Sequence, residues 1–354
     1  MLAKIADVIP DDGDYLFEPK WDGFRAIVFH GGTDLYIQSR DQKPLDRYFP
    51  ELHQRLLDSL PRGCIVDGEI VIATAQGLDF DKLQLRLHPA SSRVAKLAHE
   101  TPASFVGFDV LAAGGKELMT LPQEERRRHL EGVFAHTGPQ IHLTPMTRER
   151  RLAATWLKRF EGAGLDGVVA KRADLSYQPG KRTMLKIKHI RTADCVVAGF
   201  RWYKDTTDLV GSLLLGLFDD DGVLHHVGVT SAFTLAARRE LARLLEPLRK
   251  SAGRKHPWRN WMDVNAHVDA RMPGAQSRWT GGKDLTWEPL QIKRVCEVKY
   301  DHLQGDRFRH ATHFLRWRPD KTPAECHYDQ LETTTPFELR QIFGAAGTLR
   351  GATR

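Results

Sequence analysis

The stretch Glu18-Pro19-Lys20-Trp21-Asp22-Gly23-Phe24-Arg25 organises the rest of the chain. A short apolar run, Tyr15-Leu16-Phe17, leads into it. Beyond it Phe24, Ala26 and Val28 fall on one face and Ile27 and Phe29 on the other, the period-two pattern of a strand. Asp22-Gly23 between two such runs predicts a tight hairpin, because glycine takes positive φ without steric cost. Lys20 would then sit on an anchored turn with its side chain free to reach a pocket. Position alone favours an exposed hairpin lysine, so any further meaning depends on the residues elsewhere.

Several of those residues break the patterns around them. Cys64-Ile65-Val66-Asp67-Gly68-Glu69-Ile70-Val71-Ile72 reads as a buried strand interrupted by charge. A carboxylate inside an apolar strand is costly unless paired or ligating, which makes Glu69 a functional candidate. Ser104–Leu111 is a further strand and carries Phe108. Asp166-Gly167 leads the apolar strand Val168-Val169-Ala170-Lys171. After the turn-rich Tyr177–Arg182 comes Met184-Leu185-Lys186-Ile187-Lys188, whose two end lysines share a strand face and repel unless an anion lies between them. Apolar stripes predict helices over 50–60, 124–134 and 148–160.

His189-Ile190-Arg191-Thr192 reads as a hinge. Strands are expected at 194–200, 211–218 and 223–230, then a helix capped by Thr234 and ending near Arg249, then strands at 295–300 and 312–317. Strands around one helix fit a five-stranded OB barrel. Residues 254–290 are irregular; their four tryptophans (Trp258, Trp261, Trp279, Trp287) read equally as a nucleic-acid surface and as loop packing. A short helix is expected at Pro336–Phe343.

At 354 residues, 41% hydrophobic and 27% charged, the chain should make two globular domains. No apolar run reaches membrane-spanning length and the first residues lack a signal-peptide core, so a cytoplasmic location without membrane contact is expected. Cys64, Cys195, Cys296 and Cys326 are far apart, which argues against a zinc ribbon or a disulfide framework and for reduced, buried thiols. The net charge of +7 is uneven: residues 251–321 hold 14 Lys and Arg against 8 Asp and Glu. A localised basic surface suits a polyanion, nucleic acid above all.

Lys-x-Asp-Gly-x-Arg, as it stands at Lys20–Arg25, is the signature of covalent nucleotidyltransferases: DNA ligases, RNA ligases and mRNA capping enzymes. Joined in order by Ser39-Arg40, Asp67–Glu69, Phe108–Leu111, Asp166–Lys171, Leu185–Lys188 and Arg307-Phe308 through Arg316–Lys321, it makes residues 1–321 resemble bacterial ATP-dependent DNA ligases of the ligase C type. The resemblance implies an α+β fold: an ATP-grasp-like nucleotidyltransferase domain with antiparallel sheets (1–190), an OB-fold β-barrel domain (191–321) and a C-terminal tail (322–354). It also implies repair-associated sealing of 5′-phosphate/3′-hydroxyl nicks through a lysyl-AMP.

On that resemblance Lys20 is the nucleophile, and Lys186 and Lys188 neutralise the α-phosphate. Arg318, Asp320 and Lys321, with Arg307 assisting, close over pyrophosphate. Glu18, Arg25, Arg40, Glu69, Phe108 and Lys171 bind the nucleotide, with Phe108 stacking on adenine. Asp166 and Glu69 hold Mg2+ or Mn2+. A free lysine is protonated at neutral pH, so this chemistry needs Lys20 deprotonated by burial or nearby cations. Nicked duplex DNA and repair proteins are the implied partners of a monomer. No room precedes Lys20 for a nicotinamide-binding segment, which disfavours an NAD-dependent ligase. An RNA ligase, a GTP-using capping enzyme and a basic OB-containing binding protein with an inert transferase half remain as alternatives.

Overall fold

The computed structural model describes residues 1–331 apart from 75–76, 89, 160–163, 189–190, 251, 253–255, 259–284, 302 and 305. The chain divides into two compact units between residues 189 and 190. Among the described residues, no helix is long and apolar enough to cross a membrane.

The first unit begins with β1 (Leu2–Ala6), β2 (Tyr15–Pro19), β3 (Phe24–His30), β4 (Leu35–Ser39), α1 (Pro50–Ser59) and β5 (Cys64–Val71). A small hairpin, β6 (Ala73–Thr74) and β7 (Gly77–Leu78), precedes α2 (Phe80–Leu85) and α3 (Ser91–Glu100). Then come β8 (Ser104–Ala113), β9 (Lys116–Glu117), α4 (Gln123–Val133), β10 (Ile141–Leu143), α5 (Arg150–Arg159), β11 (Val168–Arg172) and β12 (Arg182–Ile187). Two sheets result, one ordered β1-β12-β11-β2 and the other β10-β8-β5-β3-β4. Pairing is antiparallel except for β1 with β12 and β10 with β8. Helix α1 starts with proline at its first turn, where the missing N–H costs nothing, and buries Leu52 and Leu56 against the second sheet's core.

The hairpin expected at Asp22-Gly23 does not form. Strands β2 and β3 belong to different sheets, and residues 20–23 carry the chain from one to the other. Alternation identifies each strand but not which neighbour it pairs with, and that is why the local pattern misled. Gly23 is required for close approach and not for positive φ: a Cβ there would lie 2.1 Å from the Ile70 carbonyl oxygen.

The second unit holds β13 (Arg191–Trp202), β14 (Val210–Phe218), β15 (Leu224–Thr230), α6 (Leu235–Lys250), β16 (Glu288–Pro289), β17 (Val295–Tyr300), β18 (Leu303–Gln304), β19 (Arg307–Phe308) and β20 (His313–Trp317). Its main sheet is antiparallel, ordered β15-β14-β13-β17-β20, and a bridge between Thr230 and Thr312 joins its two edges. The twelve-residue β13 is shared by β14, β16 and β17, with a register shift between Val197 and Gly199. Bulged long strands of this kind bend a sheet into a barrel. Thr234 caps α6, its hydroxyl accepting from the Ala237 N–H at 3.3 Å.

Of the four tryptophans in 254–290, Trp258 and Trp287 pack in the barrel core, and the Trp258 indole donates to the Leu224 carbonyl at 2.7 Å. Trp261 and Trp279 lie outside the described residues, as does the expected helix at 336–343. Residues 322–331, the start of the expected C-terminal tail, group with the second unit. Cys326 is fully buried there, its carbonyl accepts from the Phe218 N–H, and Gln330 bonds to Asp194. All four cysteines are free and buried.

Gly23→Ala should destabilise the protein by roughly 2 kcal/mol or more, since a backbone carbonyl cannot yield as a flexible side chain can. Urea unfolding reads this as a lower midpoint; an unchanged midpoint would show that residues 20–23 have slack.

Candidate active site

Lys20 follows the last residue of β2 and is held by its main chain before its side chain is considered. Its N–H donates to the Gly167 carbonyl and its own carbonyl accepts from the Asp166 N–H, both at 2.8 Å. This reciprocal pair places the two side chains together, and Lys20 Nζ lies 2.5 Å from Asp166 Oδ2. Lys188 Nζ reaches the same oxygen at 2.9 Å. Burial pushes the Asp166 carboxyl up, but Lys20 and Lys188 outweigh it and hold the group below the ordinary aspartate range.

Gly167 makes this convergence feasible. Its φ is +133°, and a Cβ there would meet the Ile187 carbonyl at 2.1 Å. The turn entering β11 can therefore press against the end of β12, from which Lys188 emerges.

Lys20 opens onto a cleft of about 360 Å3 lined by Glu18, Arg25, Arg40, Glu69, Phe108, Lys171 and Lys186 among others. Eight of the residues expected from sequence, Lys20 included, are thus gathered at one place. Asp166 and Lys188 are not in that lining and join it through Lys20. Arg318, Asp320 and Lys321 belong to the second unit. Val169, Arg182 and Met184 also line the cleft and were missed. Arg182 was within reach of the sequence, because residues 182, 184 and 186 alternate along β12 with the face of Lys186.

Beneath the cleft, buried charges are paired. Arg25 and Glu69 stand opposite each other on β3 and β5. Arg25 forks onto Asp67, Nε to Oδ1 at 2.9 Å and Nη2 to Oδ2 at 2.6 Å, and Tyr177 donates to the same Oδ2 at 2.8 Å. Burial raises the Tyr177 hydroxyl, as does neighbouring Asp67, so it stays a donor. Lys171, expected to bind nucleotide, is already engaged inside the protein. Its Nζ lies 2.8 Å from Glu18 Oε2 and donates to the Phe108 carbonyl at 2.6 Å. Burial raises the Glu18 carboxyl, with Lys171 and Arg127 drawing it partly back. The Phe108 ring faces the cleft with Lys171 Nζ 5.1 Å from its centroid.

Lys186 is held below the usual lysine range, first by burial and then by Lys188 and Lys20. Burial pushes Glu69 up to about 7, with Lys20 and Arg25 pulling against it. Burial and not a lack of cations raises Glu69, and its oxygens, with those of Asp166, are hard donors of the kind that suit a divalent cation. No group of three or more metal-ligating side chains occurs among the described residues. Asp166 and Glu69 could therefore supply only part of a coordination sphere, the arrangement magnesium takes when phosphate and water oxygens complete it.

A lysine in the wall of a cation-rich cleft between two mainly antiparallel sheets, on a chain that also carries a closed five-stranded barrel, defines a nucleotidyltransferase with an OB domain. Residues 1–188 match the family described as "ATP dependent DNA ligase domain", and residues 206–321 match "ATP dependent DNA ligase C terminal region". DNA ligase C2 of Mycolicibacterium smegmatis is 52% identical over 336 residues, covering 94% of each chain. DNA ligase C of Mycobacterium tuberculosis is 50% identical over 349 residues, covering 97% of this chain and 96% of that one. A solved structure from a structure-function study of Lig E DNA ligases aligns over 90% of this chain and 99% of its own, with a TM-score of 0.56 at 17% identity, a likeness of fold. The chain belongs to the ATP-dependent DNA ligase family.

Glu69 sets a pH test. A carboxyl whose folded pKa lies above its unfolded value loses stability as pH rises from about 4.5 to about 7, and the loss persists above. Glu69→Gln escapes it, so its melting temperature should exceed wild type by a few degrees at pH 8, with little difference at pH 5. Scanning calorimetry measures both; equal melting at pH 8 would mean that Glu69 is fully compensated.

Proposed function

We propose that the protein seals nicks in duplex DNA through AMP carried on Lys20. Lys20 Nζ attacks the α-phosphorus of ATP, forming a P–N bond as the P–O bond to pyrophosphate breaks. An oxygen of the nick's 5′-phosphate then attacks the same phosphorus and breaks the P–N bond. The 3′-hydroxyl finally attacks the activated 5′-phosphorus and expels AMP. Each displacement is in line, so the protein mainly positions groups and balances charge.

The observation that carries this reading is the Lys20–Asp166 bond, with Lys188 on the same oxygen and Lys186 facing the cleft. Lys20 Nζ lies 2.5 Å from Asp166 Oδ2, so it must leave that carboxylate and attack as the neutral amine. Lys188 shares the carboxylate oxygen and so weakens its hold on Lys20. A divalent cation bound by Asp166 and Glu69 would add charge that steadies the phosphates. Lys186 and Lys188 face the α-phosphate; Arg25, Arg40 and Glu69 hold the ribose and phosphate end. Phe108 stacks on adenine, and Glu18 with Lys171 fixes the wall behind it.

Residues 1–190 act as the transferase domain and 191–321 as the OB domain, against which residues 322–331 pack. Arg318, Asp320 and Lys321, with Arg307, attend pyrophosphate in the first step, and the barrel's basic surface then binds nicked DNA. The enzyme works as a monomer in the cytoplasm, alongside repair proteins. Support comes from the family membership and from relatives named DNA ligase C.

Incubation with α-labelled ATP and Mg2+ should attach one AMP, found by intact mass and mapped to residue 20, whereas GTP should leave the protein unlabelled. Lys20→Ala should abolish labelling while keeping affinity for nicked duplex within about twofold. Label retained by that variant, or mapped elsewhere, overturns the assignment.

A further inference from the structure

Asp194 lies buried on β13, its main chain clamped by Gln330: Oε1 accepts from the Asp194 N–H at 2.7 Å and Nε2 donates to its carbonyl at 3.0 Å. Directly across on β17 stands Glu297, and across from that on β20 stands Arg316. Two carboxylates opposite one another repel unless cations intervene. Arg316 Nε donates to Glu297 at 2.6 Å. Arg318 Nη1 donates to both Asp194 oxygens at 2.9 and 3.0 Å, while its Nε and Nη2 serve Asp320 at 3.0 and 2.7 Å. Lys321 Nζ reaches Asp194 Oδ2 at 2.6 Å.

Two acceptor oxygens set against one guanidinium and a neighbouring ammonium are what a phosphate group would also present. We infer that Asp194 is an internal rival of pyrophosphate, holding Arg318 and Lys321 until pyrophosphate draws Lys321 away. The inference rests on the assignment of these two cations to pyrophosphate. Asp194 acts through them and is a positioning residue. Its charge weakens their grip, so pyrophosphate leaves more readily once Lys20 is adenylated, and the adenylated enzyme is less easily reversed.

The reverse reaction tests this directly. Adenylated full-length enzyme with Mg2+ and inorganic pyrophosphate regenerates ATP: a pyrophosphate oxygen bonds to the α-phosphorus, the P–N bond breaks, and Nζ keeps the electron pair. Asp194→Asn should lower the half-saturating pyrophosphate concentration roughly three- to tenfold, the scale of one partly screened charge a few ångströms away. Asp194→Glu keeps the charge and should stay within about twofold of wild type. Asp194→Ser, neutral and smaller, carries the same test if the amide variant melts far below wild type. Lys321→Ala should raise the concentration needed. If Lys321→Ala leaves it unchanged, the pyrophosphate assignment fails and the inference with it. If Lys321→Ala raises it while the neutral variants at 194 leave it unchanged or raise it, the inference alone is overturned.

Discussion

Two main-chain hydrogen bonds between Lys20 and residues 166–167 constrain everything else in the first unit. They tie the exit of β2 to the entry of β11 and so bring the main chains that carry the amine and the carboxylate side by side. Gly167 permits it, because no side chain could stand between β11 and the Ile187 carbonyl. A side chain whose main chain is fixed by strand pairing loses little further backbone entropy on being aligned with a partner.

The residues that gather at the cleft were largely legible in the sequence, because charge inside an apolar strand is conspicuous: Glu69, Asp166 and the alternating Lys186 and Lys188 line it or join it through Lys20. Their partners were not. Nothing in the order of residues marks Asp67 as the anchor of Arg25, or joins Lys171 to Glu18 and the Phe108 carbonyl. Pairings across more than forty residues depend on sheet order, and period-two alternation carries no sheet order. The Asp22-Gly23 turn failed for the same reason. A strand leaving one sheet for another looks locally like a hairpin when the glycine's use lies in a carbonyl that comes from β5. The barrel was easier, since its strands follow one another and pair mostly with near neighbours in sequence.

Among the described residues, part of the positive charge counted in the sequence is already paired. The excess over 251–321 suggested an open basic surface, yet Arg316 and Arg318 are engaged by Glu297, Asp194 and Asp320. The same holds beneath the cleft, where Asp109 is forked by Arg126 and Asp67 by Arg25. Buried pairs of this kind add little net stability over apolar packing, but breaking one partner leaves a stranded charge. They therefore hold geometry more than they add strength. Which cations remain for a polyanion is decided by the carboxylates nearby and not by the number of arginines.

The brace made by Lys171 runs from Glu18 in one sheet to the Phe108 carbonyl in the other. A strut of that kind fixes the gap between the sheets, and so the width of the slot beside the Phe108 ring, independently of any occupant. A flat aromatic guest then finds a ready-made gauge. Thicker or puckered molecules would have to prise apart two hydrogen-bonded layers, so discrimination by shape is built in when the polypeptide folds and costs the encounter nothing.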